Sequence, residues 1–343
     1  MMNNSILDTD DYSLIENSND LFDNVFEPEV CNLDMLYSSP KDQASFSNQL
    51  GLAMEDIGLA ILINHRFDFN TLTSLESKTT DFFERVPLER KLQYVSSNSK
   101  YGDPFYAGYV PLKESIPSLP NAVEAWEFYR EAFQTSPKGL RRSATFWPDE
   151  KFELFYRKFW QDCSLLSPLL VRSLVSYLAK DINIENTPLS FFNDVFRLNY
   201  YPSIGLSREA QASKCRVLAH EDYGLLSIMP ASSIDGFQVY RLSNNSWIRI
   251  NAPLGSLIVI SGKWLKIVSG SKFRACIHRV SVPHQLDQRV VPRVTVLYTL
   301  HPYENSIIES LPGISLRYPK MTGIEFMELV CNGLTIKCDP HVN

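Results

Sequence analysis

The spacing of hydrophobic positions changes character near residue 194. Before it, apolar residues recur every three or four positions over residues 41–57 and 69–85, which predicts two amphipathic helices. The uninterrupted apolar run Leu59–Ile63 between them predicts a buried strand. Residues 148–179 return to the helical spacing and predict one long helix.

After residue 194, short segments rich in Val, Ile, Leu and Tyr follow one another with turn residues between them. Such segments predict strands, and their succession without helical patterns favours a sandwich, barrel or jelly roll over a parallel α/β sheet. We therefore expect a mainly β protein with α, its all-β body braced by N-terminal helices and by a long central helix. The predicted strands are Val195–Tyr201, Leu225–Met229, Phe237–Leu242, Trp247–Ile250, Leu257–Ile260, Ile277–Val282 and Val294–Leu300.

The pattern divides the 343 residues into four regions. We expect an acidic, partly disordered arm over 1–27, an α/β cap region over 28–150, the long helix with the β body over 151–320, and a C-terminal helix and tail over 321–343. Residues 1–30 hold eight acids and no Lys or Arg, which leaves 33 basic and 31 acidic side chains in the remainder. This nearly neutral body has no basic stripe, so a nucleic-acid partner is not expected.

Targeting signals and cysteines point to the cell interior. The N-terminus lacks the basic segment followed by an apolar segment that is typical of a secretory signal peptide. No stretch approaches the 18 consecutive apolar residues of a transmembrane helix. The six cysteines are scattered, with no C-x-x-C pair, as in reduced proteins. We expect a cytoplasmic monomer with a small-molecule substrate and no membrane partner.

The candidate chemistry begins with the segment His220-Glu221-Asp222. Residues two apart on a strand share a face, so His220 and Asp222 can direct a nitrogen and an oxygen at one point. His278 follows 58 residues later on another predicted strand. Two imidazoles and one carboxylate form the facial triad of non-haem Fe(II) oxygenases. An isolated H-x-D is a weak signal, and its weight here comes from the residues that accompany it.

Two further strands carry polar residues at the same period of two. Arg293 and Thr295 share one face, and an arginine near a metal could bind the far carboxylate of a 2-oxo diacid. On the other strand, Arg197, Asn199 and Tyr201 share a face. If Arg197 points inward it needs an anionic partner, which predicts a carboxylated, amino-acid-derived substrate. Solvated surface positions for Arg197 and Lys113 are equally open.

Taken in order, these motifs resemble the 2-oxoglutarate- and Fe(II)-dependent dioxygenases of the isopenicillin N synthase-like group, over roughly residues 28–305. The N-terminal residues that carry the resemblance are Ile63-Asn64-His65, Asp81-Phe82-Phe83, Pro87, Lys91, Gly108-Tyr109 and Trp126-Glu127-Phe128, the last two resembling the loop before the long helix. The C-terminal ones are Asn199-x-Tyr201, His220-x-Asp222-Tyr-Gly-Leu-Leu, Gly236-Phe-Gln-Val, Trp247 and His278-Arg-Val.

The resemblance implies a double-stranded β-helix, or jelly roll, and an oxidoreductase of specialised metabolite biosynthesis. Fe(II) would be bound by His220, Asp222 and His278. The co-substrate 2-oxoglutarate would chelate the metal through its C1 carboxylate and keto oxygen, with Arg293 and Thr295 on its far carboxylate. Tyr201 would hydrogen-bond its metal-side end, and Asn199 is a further expected 2-oxoglutarate contact. With O2, an unactivated C–H bond would be oxidised by hydroxylation, desaturation or cyclisation, as in kainoid synthases, with release of succinate and CO2. Tentative substrate contacts are Tyr109, Lys113, Phe128, Arg197 and Tyr223.

Three departures from the family pattern accompany the resemblance. Thr295 replaces the usual serine and keeps its hydroxyl, Lys263 stands where relatives commonly carry Asp, and Arg289 is a rival to Arg293 that lacks a hydroxyl two residues on. Two alternatives remain open: an isopenicillin N synthase-type oxidase that does not use 2-oxoglutarate, and a catalytically silent jelly-roll binding module. Histidines outside the triad are interpreted as structural: His65 at a strand end, and His284, His301 and His341 near turns or the tail.

Overall fold

The computed structural model describes residues 12–94, 108–112, 123–129, 150–179, 182–184, 187, 189, 191–205, 215–332 and 336. The helices are α1 (Ser13–Glu16), α2 (Pro40–Asp56), α3 (Phe69–Arg85), α4 (Leu88–Lys91), α5 (Glu150–Leu178), α6 (Lys263–Val268), α7 (Leu286–Arg289) and α8 (Gly323–Cys331). The strands are β1 (Asn19–Phe26), β2 (Val30–Asn32), β3 (Leu59–Ile63), β4 (Gly108–Val110), β5 (Glu124–Tyr129), β6 (Asn193–Tyr201), β7 (Cys215–His220), β8 (Leu226–Pro230), β9 (Phe237–Arg241), β10 (Ser246–Ile250), β11 (Leu257–Ser261), β12 (His278–Ser281), β13 (Arg293–His301), β14 (Ile307–Ile308) and β15 (Met321–Thr322).

Two sheets form the body, in the jelly-roll arrangement that the sequence predicts. The large sheet has the order β2-β3-β11-β8-β13-β6-β5-β4, and the small sheet has the order β1-β10-β9-β12-β7. Strand β11 shows how they are layered. Its Ile258 and Ile260 belong to the apolar cluster between the sheets, whereas Leu257 and Val259 belong to the cluster under the helices. Because both faces of this strand are buried, its sequence is a continuous apolar run.

Helices α2, α3 and α5 cover the outer face of the large sheet, and their ends follow from local sequence. Ser39 and Asp42 form a capping box in front of Pro40, so α2 begins there. The carboxylate of Asp68 accepts a hydrogen bond from the Thr71 amide at 2.7 Å, which begins α3. The predicted bounds of α3 and β3 are confirmed, and those of α2 and α5 are confirmed within two residues.

The region before the long helix differs from the sequence expectation. Trp126-Glu127-Phe128 was expected in a loop, but it lies in strand β5, which pairs with β6 on one side and β4 on the other. Strands β2 and β3 also join the large sheet, at its other end. The expected cap region therefore shares one sheet with the catalytic body, because its short apolar segments complete that sheet's two edges.

The N-terminal segment is more ordered than the expected arm over residues 12–26, while residues 1–11 lie outside the described residues. Strand β1 runs parallel to β10 at the edge of the small sheet. Trp247 Nε1 donates a hydrogen bond to the Ile15 carbonyl at 2.7 Å, and the Arg241 guanidinium lies 4.5 Å from the Phe26 ring centroid. These contacts anchor the segment to the body.

No helix in the described ranges is long and apolar enough to span a membrane. The helix expected in the C-terminal region is present as α8, which begins at a second capping box formed by Thr322 and Glu325.

A buried ion pair joins the helices to the large sheet. Lys91 Nζ lies 3.0 Å from Glu124 Oε2 and donates to the Phe83 carbonyl at 2.9 Å. The Tyr109 hydroxyl donates to the same carboxylate, and burial with this hydrogen bond raises the pKa of Tyr109. Each member of this group therefore has a partner, which buried charges require.

We predict that Lys91→Met lowers the free energy of unfolding by about 3 kcal/mol, because Glu124 would stay buried without its cation. Urea denaturation measures the change. The double variant Lys91→Met/Glu124→Gln should lose less free energy of unfolding than the sum of the losses in the two single variants. Arg85→Met, which removes an exposed ion pair with Asp81, is the matched control. A loss for Lys91→Met no larger than that control would contradict the prediction.

Candidate active site

Three ligand atoms of the predicted triad converge at one end of the small sheet. His220 ends β7 and His278 begins β12, and the antiparallel register places the two residues opposite each other. Each histidine Nε2 lies 3.7 Å from Asp222 Oδ1, and the three ligand atoms lie within 4.8 Å of one another. This spacing suits one metal ion with the remaining coordination positions open.

Hydrogen bonds fix how the triad side chains face this point. His220 Nδ1 lies 2.8 Å from the Leu218 carbonyl, and His278 Nδ1 lies 3.0 Å from the Cys276 carbonyl. A carbonyl oxygen only accepts, so each Nδ1 donates and each neutral ring keeps its Nε2 lone pair for a metal. Asp222 Oδ2 accepts from the Ser227 hydroxyl, which leaves Oδ1 facing the histidines.

Electrostatics favour the protonation states that bind metal. Burial and the neighbouring His278 lower the pKa of His220 to about 4. Burial opposes the charged form of Asp222, but the two imidazoles and the Ser227 hydrogen bond outweigh it and lower the pKa of this carboxyl. A neutral imidazole and an ionised carboxylate are the ligand forms, so the donor set fits a divalent cation.

The loop that carries Asp222 packs on Gly262. A Cβ at residue 262 would lie 2.2 Å from the Gly224 carbonyl oxygen, a distance that no side chain tolerates. The Lys263 amide donates to the Asp222 carbonyl at 2.8 Å, and helix α6 begins there. The Lys263 ammonium lies 5.6 Å from the Tyr223 ring centroid. This lysine, which replaces the usual Asp, therefore lies beside the triad.

A second polar group lies deeper between the sheets. In β13 and β6, Arg293 is opposite Tyr201 and Thr295 is opposite Asn199. The Arg293 guanidinium donates to the Thr295 hydroxyl and lies 5.3 Å from the Tyr201 ring centroid. Arg293 is 2% exposed, and its Nε donates to the Ile234 carbonyl at 3.2 Å. Among the described residues no carboxylate forms an ion pair with it, although the charges of Glu76 and Asp235 counteract the lowering of its pKa by burial.

The two polar groups are connected through Tyr201 and Val280. The Arg293 guanidinium lies next to Tyr201, and Tyr201 packs with Val280, which lies two residues along β12 from His278.

Arg197 has its anionic partner within the protein. Its Nη1 lies 2.6 Å from Glu127 Oε2 on the neighbouring strand β5, and its Nε donates to Asn199 Oδ1 at 2.8 Å. The carboxylate that the sequence analysis expected from a substrate is therefore supplied by Glu127. Pairing with a residue on another strand could not be read from the alternation within β6.

The other tentative substrate contacts lie in different surroundings. Tyr109 and Phe128 are fully buried in the cluster under the helices, which favours a packing role for both. Tyr223 directly follows Asp222 and is half-buried. Lys113 lies outside the described residues. Among the remaining histidines, His65 Nε2 lies 2.7 Å from the Gly255 carbonyl, which agrees with its expected structural role.

Arg216 and His301 lie near the site and were not among the predicted site residues. Arg216 lies in β7, four residues before His220, and is 3% exposed. Its position on the strand that leads to the triad was the available signal. His301, the last residue of β13, was expected near a turn; burial lowers its pKa to about 4, although Asp222 opposes this. Its Nδ1 is buried and has no hydrogen-bond partner in the described part of the chain.

The N-terminal segment contacts both strands that carry the triad histidines, β7 and β12. Glu16 accepts a hydrogen bond from the amide of Ala219, which precedes His220. Its carboxylate also lies 3.2 Å from Nη1 of Arg279, which follows His278. One carboxylate therefore connects β7 and β12 directly behind the triad.

The fold and site are those of a non-haem iron oxygenase with a jelly-roll core. Residues 29–150 match the family model described as the N-terminal region of a non-haem dioxygenase in morphine synthesis. Residues 192–302 match the model of the 2OG-Fe(II) oxygenase superfamily. The chain belongs to this superfamily and is a non-haem dioxygenase that uses Fe(II) and 2-oxoglutarate.

Known proteins agree with this assignment. Feruloyl CoA ortho-hydroxylase 1 of Arabidopsis thaliana is 27% identical over 279 residues, covering 76% of this chain and 67% of the relative. The 2-oxoglutarate-dependent dioxygenase 19 of Oryza sativa subsp. japonica is 22% identical, covering 88% and 85%. A full-length Neurospora crassa protein, solved in complex with alpha-KG and thymine, superposes with a TM-score of 0.75 at 19% identity, covering 90% and 97%. The rice dioxygenase for auxin oxidation has a TM-score of 0.69 at 16% identity, covering 91% and 97%.

We predict that Glu16→Ala weakens metal binding although Glu16 is not a ligand, because the strands behind the triad lose their common partner. Residues that orient metal ligands typically change affinity by about tenfold or more, and we expect the lower end of that range. Anaerobic Co(II) titration measures the affinity, with the exposed Glu27→Ala as the control. Equal affinity in Glu16→Ala and Glu27→Ala would show that this connection has no effect on the site.

Proposed function

We propose that His220 Nε2, Asp222 Oδ1 and His278 Nε2 bind Fe(II), and that the far carboxylate of 2-oxoglutarate binds Arg293 and Thr295. Tyr201 lines the same subsite, and Asn199 supports it through its position opposite Thr295. When bound, Fe(II) and 2-oxoglutarate supply the oxidising chemistry, in which O2 is consumed and the co-substrate becomes succinate and CO2. The product is a small metabolite oxidised at an unactivated C–H bond.

The observation that carries this proposal is the pair of polar groups between the sheets. One is a triad with open positions, and the other is a buried arginine that forms no ion pair with a carboxylate among the described residues. A buried guanidinium needs an anion, and the connection to the triad through Tyr201 and Val280 suits a ligand that reaches both. The protein's own contribution is to hold this ligand, to keep the imidazoles neutral and to exclude water.

We propose hydroxylation of a carboxylated substrate. Hydroxylation is the reaction named for the feruloyl CoA relatives. We assign Lys263 as the cation that faces an acidic substrate, because its ammonium lies beside Tyr223 and its amide donates to the Asp222 carbonyl. The carboxylate of the substrate would face this lysine, while its reacting carbon faces the open side of the triad.

We predict that Arg293→Met raises the Kd of 2-oxoglutarate about a hundredfold, because a buried charge-assisted contact is lost. Anaerobic calorimetry with Mn(II)-loaded protein measures it. The matched control is Arg289→Met, which removes the rival arginine; its Nε donates to the Pro283 carbonyl at 2.8 Å. In turnover, substrate oxidation without succinate would indicate an isopenicillin N synthase-type reaction and would overturn the proposal.

We predict that Lys263→Ala raises KM about tenfold for a small acid that the enzyme hydroxylates, but leaves KM unchanged for the methyl ester of that acid. Arg197→Ala should leave both KM values unchanged and lower the melting temperature, because Glu127 loses its partner. Product mass identifies the outcome: a gain of 16 mass units indicates hydroxylation, and a loss of 2 indicates desaturation or cyclisation. Equal effects of Lys263→Ala on acid and ester would contradict a carboxylate contact.

A further inference from the structure

Arg216 is a buried cation that the proposed function does not use. It is 3% exposed, and none of its three guanidinium nitrogens has a hydrogen-bond partner in the part of the chain that the structure describes. Burial, with the like charge of Arg293, lowers the pKa of Arg216 to about 10, so the guanidinium remains a cation at neutral pH. A buried charge without a hydrogen-bond or ion-pair partner strongly destabilises the folded protein.

The side chain of Arg216 lies on the Tyr201 side of the small sheet. The thiol of the preceding Cys215 contacts the Glu16 carboxylate, whereas Arg216 lies against the Tyr201 ring. There its guanidinium lies 6.0 Å from the centroid of the Tyr201 ring, and that of Arg293 lies 5.3 Å from the same centroid. Both arginines therefore lie at the depth of Tyr201.

A structural role does not account for two cations in one interior. Two other deeply buried cations of the described ranges have carboxylates: Arg279 pairs with Glu16 and Asp20, and Lys91 pairs with Glu124. The charged or titratable groups that influence the pKa of Arg216 are Arg293, Tyr201 and Tyr200, and none of these is a carboxylate. Among the described residues, no carboxylate therefore neutralises Arg216.

We propose that Arg216 and Arg293 together bind the far carboxylate of 2-oxoglutarate, one guanidinium for each oxygen. This inference rests on the proposed function, because it adds a second arginine to the co-substrate subsite. Two guanidinium groups around Tyr201 make the subsite selective for a ligand that carries a negative charge at this end. Without co-substrate, the two cations repel each other, so part of the binding free energy comes from relief of that repulsion.

The test compares 2-oxoglutarate with 2-oxopentanoate, which has a methyl group in place of the far carboxylate. Anaerobic calorimetry on Mn(II)-loaded protein gives both Kd values for the wild type, Arg216→Met and Arg216→Lys. We expect Arg216→Met to raise the Kd of 2-oxoglutarate about ten- to a hundredfold and to leave the Kd of 2-oxopentanoate unchanged. Arg216→Lys should have an intermediate Kd for 2-oxoglutarate. Without ligand, Arg216→Met should melt at the same temperature as the wild type or higher, since an unpartnered buried charge is removed.

Arg241→Met is the matched control, because Arg241 also has an unpartnered Nε in the described part of the chain but lies near Asp56 and Phe26 on the small sheet. It should bind both ligands like the wild type. If Arg216→Met binds 2-oxoglutarate like the wild type, or loses affinity for both ligands equally, Arg216 does not bind the far carboxylate. A wild type that does not bind 2-oxoglutarate at all would instead overturn the proposed function.

Discussion

The hydrogen-bonded pairing of β7 with β12 is the constraint on which the active site depends. His220 and His278 are far apart in the chain, and only this register places their imidazoles opposite each other. A shift by one residue would turn one of the two side chains to the outer face of the sheet. Just beyond the histidines, between His278 and Val280, the pairing has a register shift of the kind that a β-bulge produces. The pairing therefore places the imidazoles of His220 and His278 next to each other at one end of the strands, and the register shift lies beyond this pair.

The interior between the sheets combines two kinds of packing. At one end, isoleucine and valine side chains from both sheets fill the space, as in any β-sandwich. At the other end, the same space holds imidazoles, a carboxylate and two arginines. Polar groups in such a place reduce the stability of the fold, and proteins retain them where function requires it. The apolar end supplies the stability that the polar end gives up.

The strongest periodic patterns predicted the structure well. The α3 helix and the β3 strand were found at their predicted bounds, because each buries a continuous stripe or run of apolar residues. Trp126 and its neighbours were misplaced, since a short mixed segment has no clear period and gains its strand conformation from pairing with β6. Helix α6 was missed for a related reason: it is only a turn and a half long and is fixed by contacts to the Asp222 loop.

The site shows the same division between local and distant information. Spacing along single strands predicted which residues share a face, and the structure brings the triad together as expected. Spacing could not reveal that Arg197 is paired with Glu127 on another strand, or that Arg216 lacks such a pair among the described residues. Partners across strands depend on sheet order, and sheet order depends on the packing of the whole body.

The shared large sheet has a consequence for how this chain could evolve or be engineered. Strand β3 from the N-terminal region pairs directly with β11, whose last residue leads into the turn at Gly262 beneath the loop that carries Asp222. The boundary between the two matched regions therefore divides a single hydrogen-bonded sheet. Exchange of one half between relatives would join two unmatched strand edges inside the core. Any exchange between relatives that keeps this sheet intact would have to keep the β3–β11 and β5–β6 pairs together.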